Sequence, residues 1–286
     1  MLAYIYDGSL EGMLTSVFEA YVCREDPDDI VAEGLFQPRL GQETKYIQTD
    51  LAQADRVRAG IVHACGRRAY EAVRAVYLSD DPRKGSAILS FVRYAMKRGA
   101  SALDDLAHPS VSEFSAINKA VYNERHRWQQ FMRFREVEGG VYYARCNPAA
   151  SVVPLLMDWF AARFNTQPFI IYDEIHDIVG VSHEGSWSLL KTDVLDVPPA
   201  TLAEQEMSRA WKTFYDAVAI ESRYNPELRR QFMPRRLWRN ITEMQEQLPQ
   251  DGVTHVRAAP GSACSKACPG QSAHDSAVAR IDGVGA

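Results

Sequence analysis

Hydrophobic positions along this chain recur at two periods, and the switch between them sets out the elements. Leu10, Met13, Leu14, Val17, Phe18 and Tyr21 fall at three- and four-residue steps, which predicts a helix over about 9–22 with a single apolar stripe. Leu2-Ala3-Tyr4-Ile5-Tyr6 before it has the aromatic and branched content of a short strand, closed by an Asp7-Gly8 turn. Residues 24–33 carry Glu25, Asp26, Asp28, Asp29 and Glu33 against Arg24 and read as a solvated acidic loop. Tyr46–Thr49 is a candidate second strand. From Asp50 to His126 the period is helical. Asp50 and Gln53 form an N-cap pair, Asp81-Pro82 places proline at a first helical position, and Ser110 with Glu113 fits a capping box. Three or four helices are expected there, broken near Gly66, Ser79 and Gly99.

At Phe131 the period changes to two. Residues 131–137 and 141–146 flank Glu138-Gly139-Gly140, a hairpin signal. A three-residue loop with a left-handed glycine pairs Val137 with Val141, Arg135 with Tyr143 and Arg133 with Arg145. One face then holds Met132, Phe134, Tyr142, Ala144 and Cys146, which suits a core, and the other holds Phe131, Arg133, Arg135, Tyr143 and Arg145. Pro148 is expected to open a helix running to Arg163, followed by a strand pair, Phe169–Tyr172 and Ile178–Ser182. Thr201 with Glu204 is a further capping box, and its helix sets Met207, Ala210, Trp211, Phe214 and Val218 on one side until Asn225-Pro226 ends it. A short helix surrounds Leu237, Trp238 and Ile241. Beyond Pro249 the chain is rich in Gly, Ala, Ser and Pro without periodicity and reads as a disordered tail. The expected class is α+β: an N-terminal strand plus helical region over 1–110, a small antiparallel sheet flanked by helices over 111–249, and the tail over 250–286.

Composition narrows the function classes. Of 286 residues, 32 are Lys or Arg and 37 Asp or Glu, so the formal charge of -5 excludes a uniformly basic coat while leaving room for local basic patches. No run of 18 uncharged apolar residues exists, so no membrane span is expected. The N-terminus has no basic region ahead of an apolar core, and the five scattered cysteines suit reduced thiols; both make cytoplasmic the default compartment.

The densest chemistry lies between Arg223 and Arg239. Arg223, Arg229, Arg230, Arg235, Arg236 and Arg239 stand against Glu227 alone, interleaved with Tyr224, Phe232 and Trp238. Guanidinium forks grip phosphate and aromatic faces take unpaired bases; as core anchors and ion-pair partners the same residues would be structural. The hairpin face of Arg133, Arg135, Tyr143 and Arg145 is a second basic-aromatic patch, and contiguity of the two would make nucleic acid the natural ligand. Asp173, Glu174, His176 and Asp177, with His183 and Glu184, are metal-ligand types; strand alternation splits Asp173 and Asp177 from Glu174 and His176, whereas a turn would let them cluster, and since acidic residues between strands are usually solvated no metal is assigned. Asp7, Asp173 and His176 stay as acid–base candidates. The glycine turn at Asp7-Gly8-Ser9 could seat an anion at a helix N-terminus or serve as a cap; it is neither a dinucleotide-binding fingerprint nor a P-loop. Cys264-Ser-Lys-Ala-Cys268 resembles half a metal knuckle, but no partner pair exists and the spacing reads as noise. No cofactor is implied, and no motif names a reaction.

Several blocks together resemble a bacterial family described as probable DNA metabolism proteins, which contain the DUF4130 domain. They are Tyr6-Asp7-Gly8-Ser9-x-Glu11-Gly12, the run from Glu124 and His126 to Phe131-x-Arg133-Phe134-x-Glu136, Arg163-Phe164 and Ile171-Tyr172-Asp173. After these come Trp211-Lys-x-Phe214-Tyr215, Arg223-x-Asn225, Phe232-Met-Pro234-Arg and Trp238. The resemblance runs over about 2–245. It implies a pairing with a radical SAM protein of DNA modification or repair and, in other proteins, fusion of a similar domain to a uracil-DNA glycosylase-like module; it carries over no catalytic residue. The leading expectation is an accessory nucleic-acid-binding protein whose partners are DNA and the radical SAM enzyme. Arg133, Arg135, Arg145, Arg223, Arg229, Arg230, Arg235 and Arg236 would contact phosphates, and Tyr143 and Trp238 would stack on bases. The alternatives are an enzyme acting on a nucleobase or phosphodiester, and a protein scaffold for the radical SAM enzyme.

Overall fold

The computed structural model describes residues 1–192, 194–245 and, for the backbone, 254–257. It is an α+β protein in two compact units, Met1–His126 and Arg127–Ala286. Of the stretch read as a tail, only Thr254–Arg257 falls among the described residues.

Unit 1 is built on three parallel strands in the order β2-β1-β3: β1 (Leu2–Tyr6), β2 (Asp29–Ala32) and β3 (Glu43–Tyr46). Helix α1 (Leu10–Val22) follows β1, and its N-cap is Ser9, whose hydroxyl accepts from Gly12 N. Such a cap satisfies one of the donors that a helix start leaves orphaned. Asp50 caps α2 (Leu51–Cys65) by accepting from Ala52 and Gln53 N, as its spacing predicts. Gly66 separates α2 from α3 (Arg67–Tyr77), the break around Ser79 separates α3 from α4 (Lys84–Arg98), and Gly99 ends α4. Tyr4, Met13, Val17, Val73, Ile88, Phe91 and Phe114 join one buried core.

Four local expectations are corrected. The acidic stretch is not all loop, because Ile30 is buried and its neighbours pair with β1 as β2. The second strand ends at Tyr46 instead of starting there. Pro82 lies in a turn ahead of α4, where the Asp81 carboxylate accepts from Arg83 N and binds its guanidinium. Ser110 and Glu113 form no capping box, because α5 (Pro109–Phe131) starts on Pro109, two residues earlier than a Ser110 cap would set, and Glu113 pairs with Arg83 at 3.3 Å.

Unit 2 centres on a five-stranded sheet in the order β4-β5-β6-β7-β8. Strands β4 (Arg135–Val137) and β5 (Val141–Cys146) form the expected hairpin, with Val137 opposite Val141 and Arg135 opposite Tyr143. Gly139 and Gly140, at φ 91° and 72°, supply the left-handed backbone of its three-residue loop. Helix α6 (Val153–Arg163) then crosses to β6 (Phe169–Asp173), which pairs with β5 in parallel. Pro148 does not open α6; the helix starts five residues later, with Pro154 in its first turn. The antiparallel strands β7 (Ile178–His183) and β8 (Ser186–Lys191) complete the sheet. Strand β9 (Val194–Val197) pairs with β10 (Thr254–Arg257). Leu195 and Val197 of β9 pack on Tyr143, Ile170, Tyr172 and Val179 of the main sheet, so this face is covered.

Helix α7 (Leu202–Val218) is capped by Thr201, which accepts from Glu204 N. The Glu204 carboxylate turns to Glu136 N at 3.3 Å and ties the helix to β4 instead of closing the box. Its predicted apolar side faces outward, with Met207, Phe214 and Val218 all more than half exposed. Two short helices, α8 (Pro226–Phe232) and α9 (Arg235–Trp238), carry most of the arginine-rich segment. Among the described residues no helix is long and apolar enough to cross a membrane.

Candidate functional site

The two arginine stretches of unit 2 meet at the hairpin. Asn147, just past β5, is the latch: its amide donates to Arg236 O at 3.2 Å, its own carbonyl accepts from Arg236 Nη1 at 3.3 Å, and Asn240 Nδ2 donates to its Oδ1 at 2.7 Å. Arg145 Nη2 donates to Arg239 O at 3.3 Å. Arg133, Arg135, Tyr143 and Arg145 then line one cleft with Asn240, Thr242 and Gln245. At about 20 Å³ the cleft is too small to admit a nucleotide, so its chemistry is that of its rim.

Carboxylates hold several of these guanidinium groups. Arg133 Nη2 lies 2.6 Å from Glu243 Oε1, with Nε donating to Oε2 at 3.3 Å, a two-pronged pair in which the glutamate is almost fully buried. Trp211 Nε1 donates to the same carboxylate at 3.1 Å. Burial by itself would raise the Glu243 carboxyl, but the Arg133 hydrogen bonds outweigh it and hold the group below the usual carboxylate range. Glu174 receives Arg239 and, at 3.8 Å, Arg145.

Elsewhere on the segment the arginines are differently placed. Arg223, Arg230 and Arg235 are exposed. Among the described residues no carboxylate pairs with them or with Arg229. Trp238 organises two of the four: the guanidinium carbons of Arg229 and Arg235 stand 5.0 and 5.6 Å from its ring centre, and Tyr224 flanks Arg229 at 5.4 Å. These are cation–π distances.

The stacking expectation for Tyr143 is corrected. Tyr143 is 3% exposed beneath β9, and burial pushes its phenol well up, so no base reaches its ring. Trp238 is half-buried, carries two guanidinium groups and donates to Met233 O at 3.0 Å; its ring positions arginines. Glu243 and Asn240, which shape the cleft, are isolated polar residues with no periodic or motif signal in the sequence.

The acid–base candidates separate. Asp173 and His176 converge because residues 174–177 form a turn and not a strand, which corrects the alternation argument. His176 Nδ1 sits 2.6 Å from Asp173 Oδ2, while Asp173 Oδ1 accepts from Ile175 and His176 N at 3.0 and 3.2 Å. The fully buried carboxylate thereby fixes both the turn and the imidazole. The pair lies past the carboxyl end of β6, next to that of β5, the edge at which parallel strands commonly present ligand sites. Asp7 belongs to unit 1. Its carboxylate accepts from Ser9 N at 2.9 Å, Ser9 Oγ at 2.6 Å and Thr49 Oγ1 at 2.8 Å. Burial would raise it, but these bonds win and lower it. Gly12 makes the arrangement possible, since a Cβ there would stand 2.3 Å from Asp7 Oδ1. Among the described residues no three His, Cys, Asp or Glu side chains gather as a metal site. Cys264 and Cys268 lie outside the described residues.

Fold and cleft together define an α+β protein with an arginine-rich surface. The model of the domain of unknown function DUF4130 matches residues 82–243, more than half of the chain, and the protein belongs to that family. The match includes the arginines of both stretches and the Asp173–His176 pair, but not the Asp7 motif. No curated protein matches the chain. Among similar solved structures is a pGpG-specific phosphodiesterase from Vibrio cholerae, 10% identical, over 76% of this chain and 99% of that one. Its TM-score of 0.28 is too low to carry an argument about fold or chemistry.

Proposed function

We propose that the protein is an accessory nucleic-acid-binding protein of DNA repair or modification, acting with a radical SAM enzyme. The observation that carries the binding part is the set Arg223, Arg229, Arg230 and Arg235, four guanidinium groups without a carboxylate partner among the described residues, two of them fixed over Trp238. Guanidinium is weakly hydrated and matches phosphate geometry, so such groups suit a polyanion. Arg135 and Arg236 extend the basic surface toward the hairpin, whereas Arg133 is committed to Glu243 and Arg145 and Arg239 share Glu174. The repair context and the partner rest on the family resemblance alone. Fluorescence anisotropy with labelled single- and double-stranded DNA tests the binding: affinity should fall linearly on a log–log plot against salt, because each neutralised phosphate releases counterion. Absent or salt-independent binding would sink it.

A second reading rests on the Asp173–His176 pair. A buried carboxylate holding one imidazole nitrogen fixes the ring as catalytic histidines are fixed. As an enzyme on a nucleobase or phosphodiester, the protein would lose turnover in His176→Ala while keeping its DNA affinity. Unchanged DNA after incubation with wild type rules this reading out.

A further inference from the structure

Unit 1 has an open hollow that none of the chemistry above uses. Its three parallel strands end on one edge, and the residues that follow them line a pocket of about 340 Å³: Asp7 after β1, Glu33 after β2, and Tyr46–Thr49 at the end of β3. A second pocket of about 600 Å³ shares Tyr46–Thr49 and extends to Lys45 and Gln53. Both volumes are those of small-molecule sites, and the carboxyl edge of a parallel sheet is where such ligands bind.

We propose that this edge binds a nucleoside, a neutral ligand that combines a flat ring with several hydrogen-bond donors. The lining is rich in acceptors. Asp7 is held rigid by Ser9 and Thr49, Glu33 adds a second carboxylate, and Gln53 Oε1 is buried with no donor among the described residues. Such a set takes hydroxyl and amino hydrogens. It repels phosphate, because the lysine of the lining, Lys45, is already committed to Glu25 at 3.1 Å and Glu19 at 3.7 Å. Tyr46 lines both pockets with its ring two-thirds exposed, a free face for a base, and the Gln48 amide beside it can both donate to and accept from a base edge. The inference does not depend on the arginines of unit 2.

The test is titration calorimetry of the full chain with adenosine, cytidine and adenosine 5′-monophosphate. At least one nucleoside should bind saturably, and for adenosine the added phosphate should weaken binding about tenfold or more. Tyr46→Ala, a change at an exposed position, should weaken it about tenfold with the melting temperature unchanged. Glu33→Gln should shrink the phosphate penalty. The proposal is overturned if neither nucleoside binds, if the monophosphate binds as tightly as adenosine, or if Tyr46→Ala binds like wild type.

Discussion

Arg133, Arg145 and Arg239 on one side, and Arg223, Arg229, Arg230 and Arg235 on the other, are the same residue type in the same unit with opposite surroundings. The first three meet Glu243 or Glu174, carboxylates that are 5% and 12% exposed. Removing one partner of such a pair strands a desolvated charge, so these arginines hold the hairpin to the 234–245 segment. The other four have aromatic rings or water beside them, and their charge remains to be neutralised from outside. Basic residues in a sequence therefore do not count equally toward a binding surface; what matters is whether the fold has already spent a carboxylate on each.

The largest effect should come from the paired side. Glu243→Ala leaves Arg133 and the Trp211 indole N–H without their acceptor and should cost about 3 kcal/mol, read as a fall of roughly 6–12 °C in melting temperature. A loss under about 1 °C would mean the pair is incidental. On the open side, the triple reversal of Arg223, Arg230 and Arg235 to glutamate should weaken DNA binding by a hundredfold or more and lower the salt slope by about three, with stability kept. An unchanged slope would place the phosphates elsewhere. Acid gives a gentler probe. Because the Glu243 carboxyl titrates below its ordinary 4.5 in the folded chain, its contribution is complete above that value and is lost as pH falls further. Wild type should therefore lose stability as pH falls below 4.5 more steeply than Glu243→Gln, measured by urea denaturation at successively lower pH. Smallest of all, Glu174→Gln frees Arg145 and Arg239 and should tighten DNA binding a few-fold; weaker binding would show that Glu174 aims these arginines instead of masking them.

Much of the architecture was legible in local chemistry. The Glu138-Gly139-Gly140 loop dictated the hairpin register, and Asp50, Thr201, Gly66 and Gly99 marked helix ends, since caps and left-handed glycines act within a few residues. What stayed hidden was non-local. Strand β2 sits in a charged stretch because one buried residue, Ile30, is enough to seat it. Strand β8 carries a short alternation, Ser186-Trp187-Ser188-Leu189, and the Glu184-Gly185 turn, with φ 50° and 75°, sets it back against β7. For the site, contiguity of the two arginine stretches was foreseen as the deciding question. The burial of Tyr143 was not, because it depends on β9 arriving from 50 residues downstream. The convergence of Asp173 and His176 follows the turn alternative, and the sequence does not decide between turn and strand at 174–177.

The parallel join between β5 and β6 also shapes how unit 2 assembles. Strands β6, β7 and β8 close through connections of four and two residues, so this meander can form from neighbours in the chain. Strand β5 reaches β6 only after 22 intervening residues that include α6, and the entropy of that longer closure must be met before any of its ladder forms. Since the arginine cleft is anchored on β5, that same non-local pairing is what sets Arg145 beside Glu174 in the β6–β7 turn.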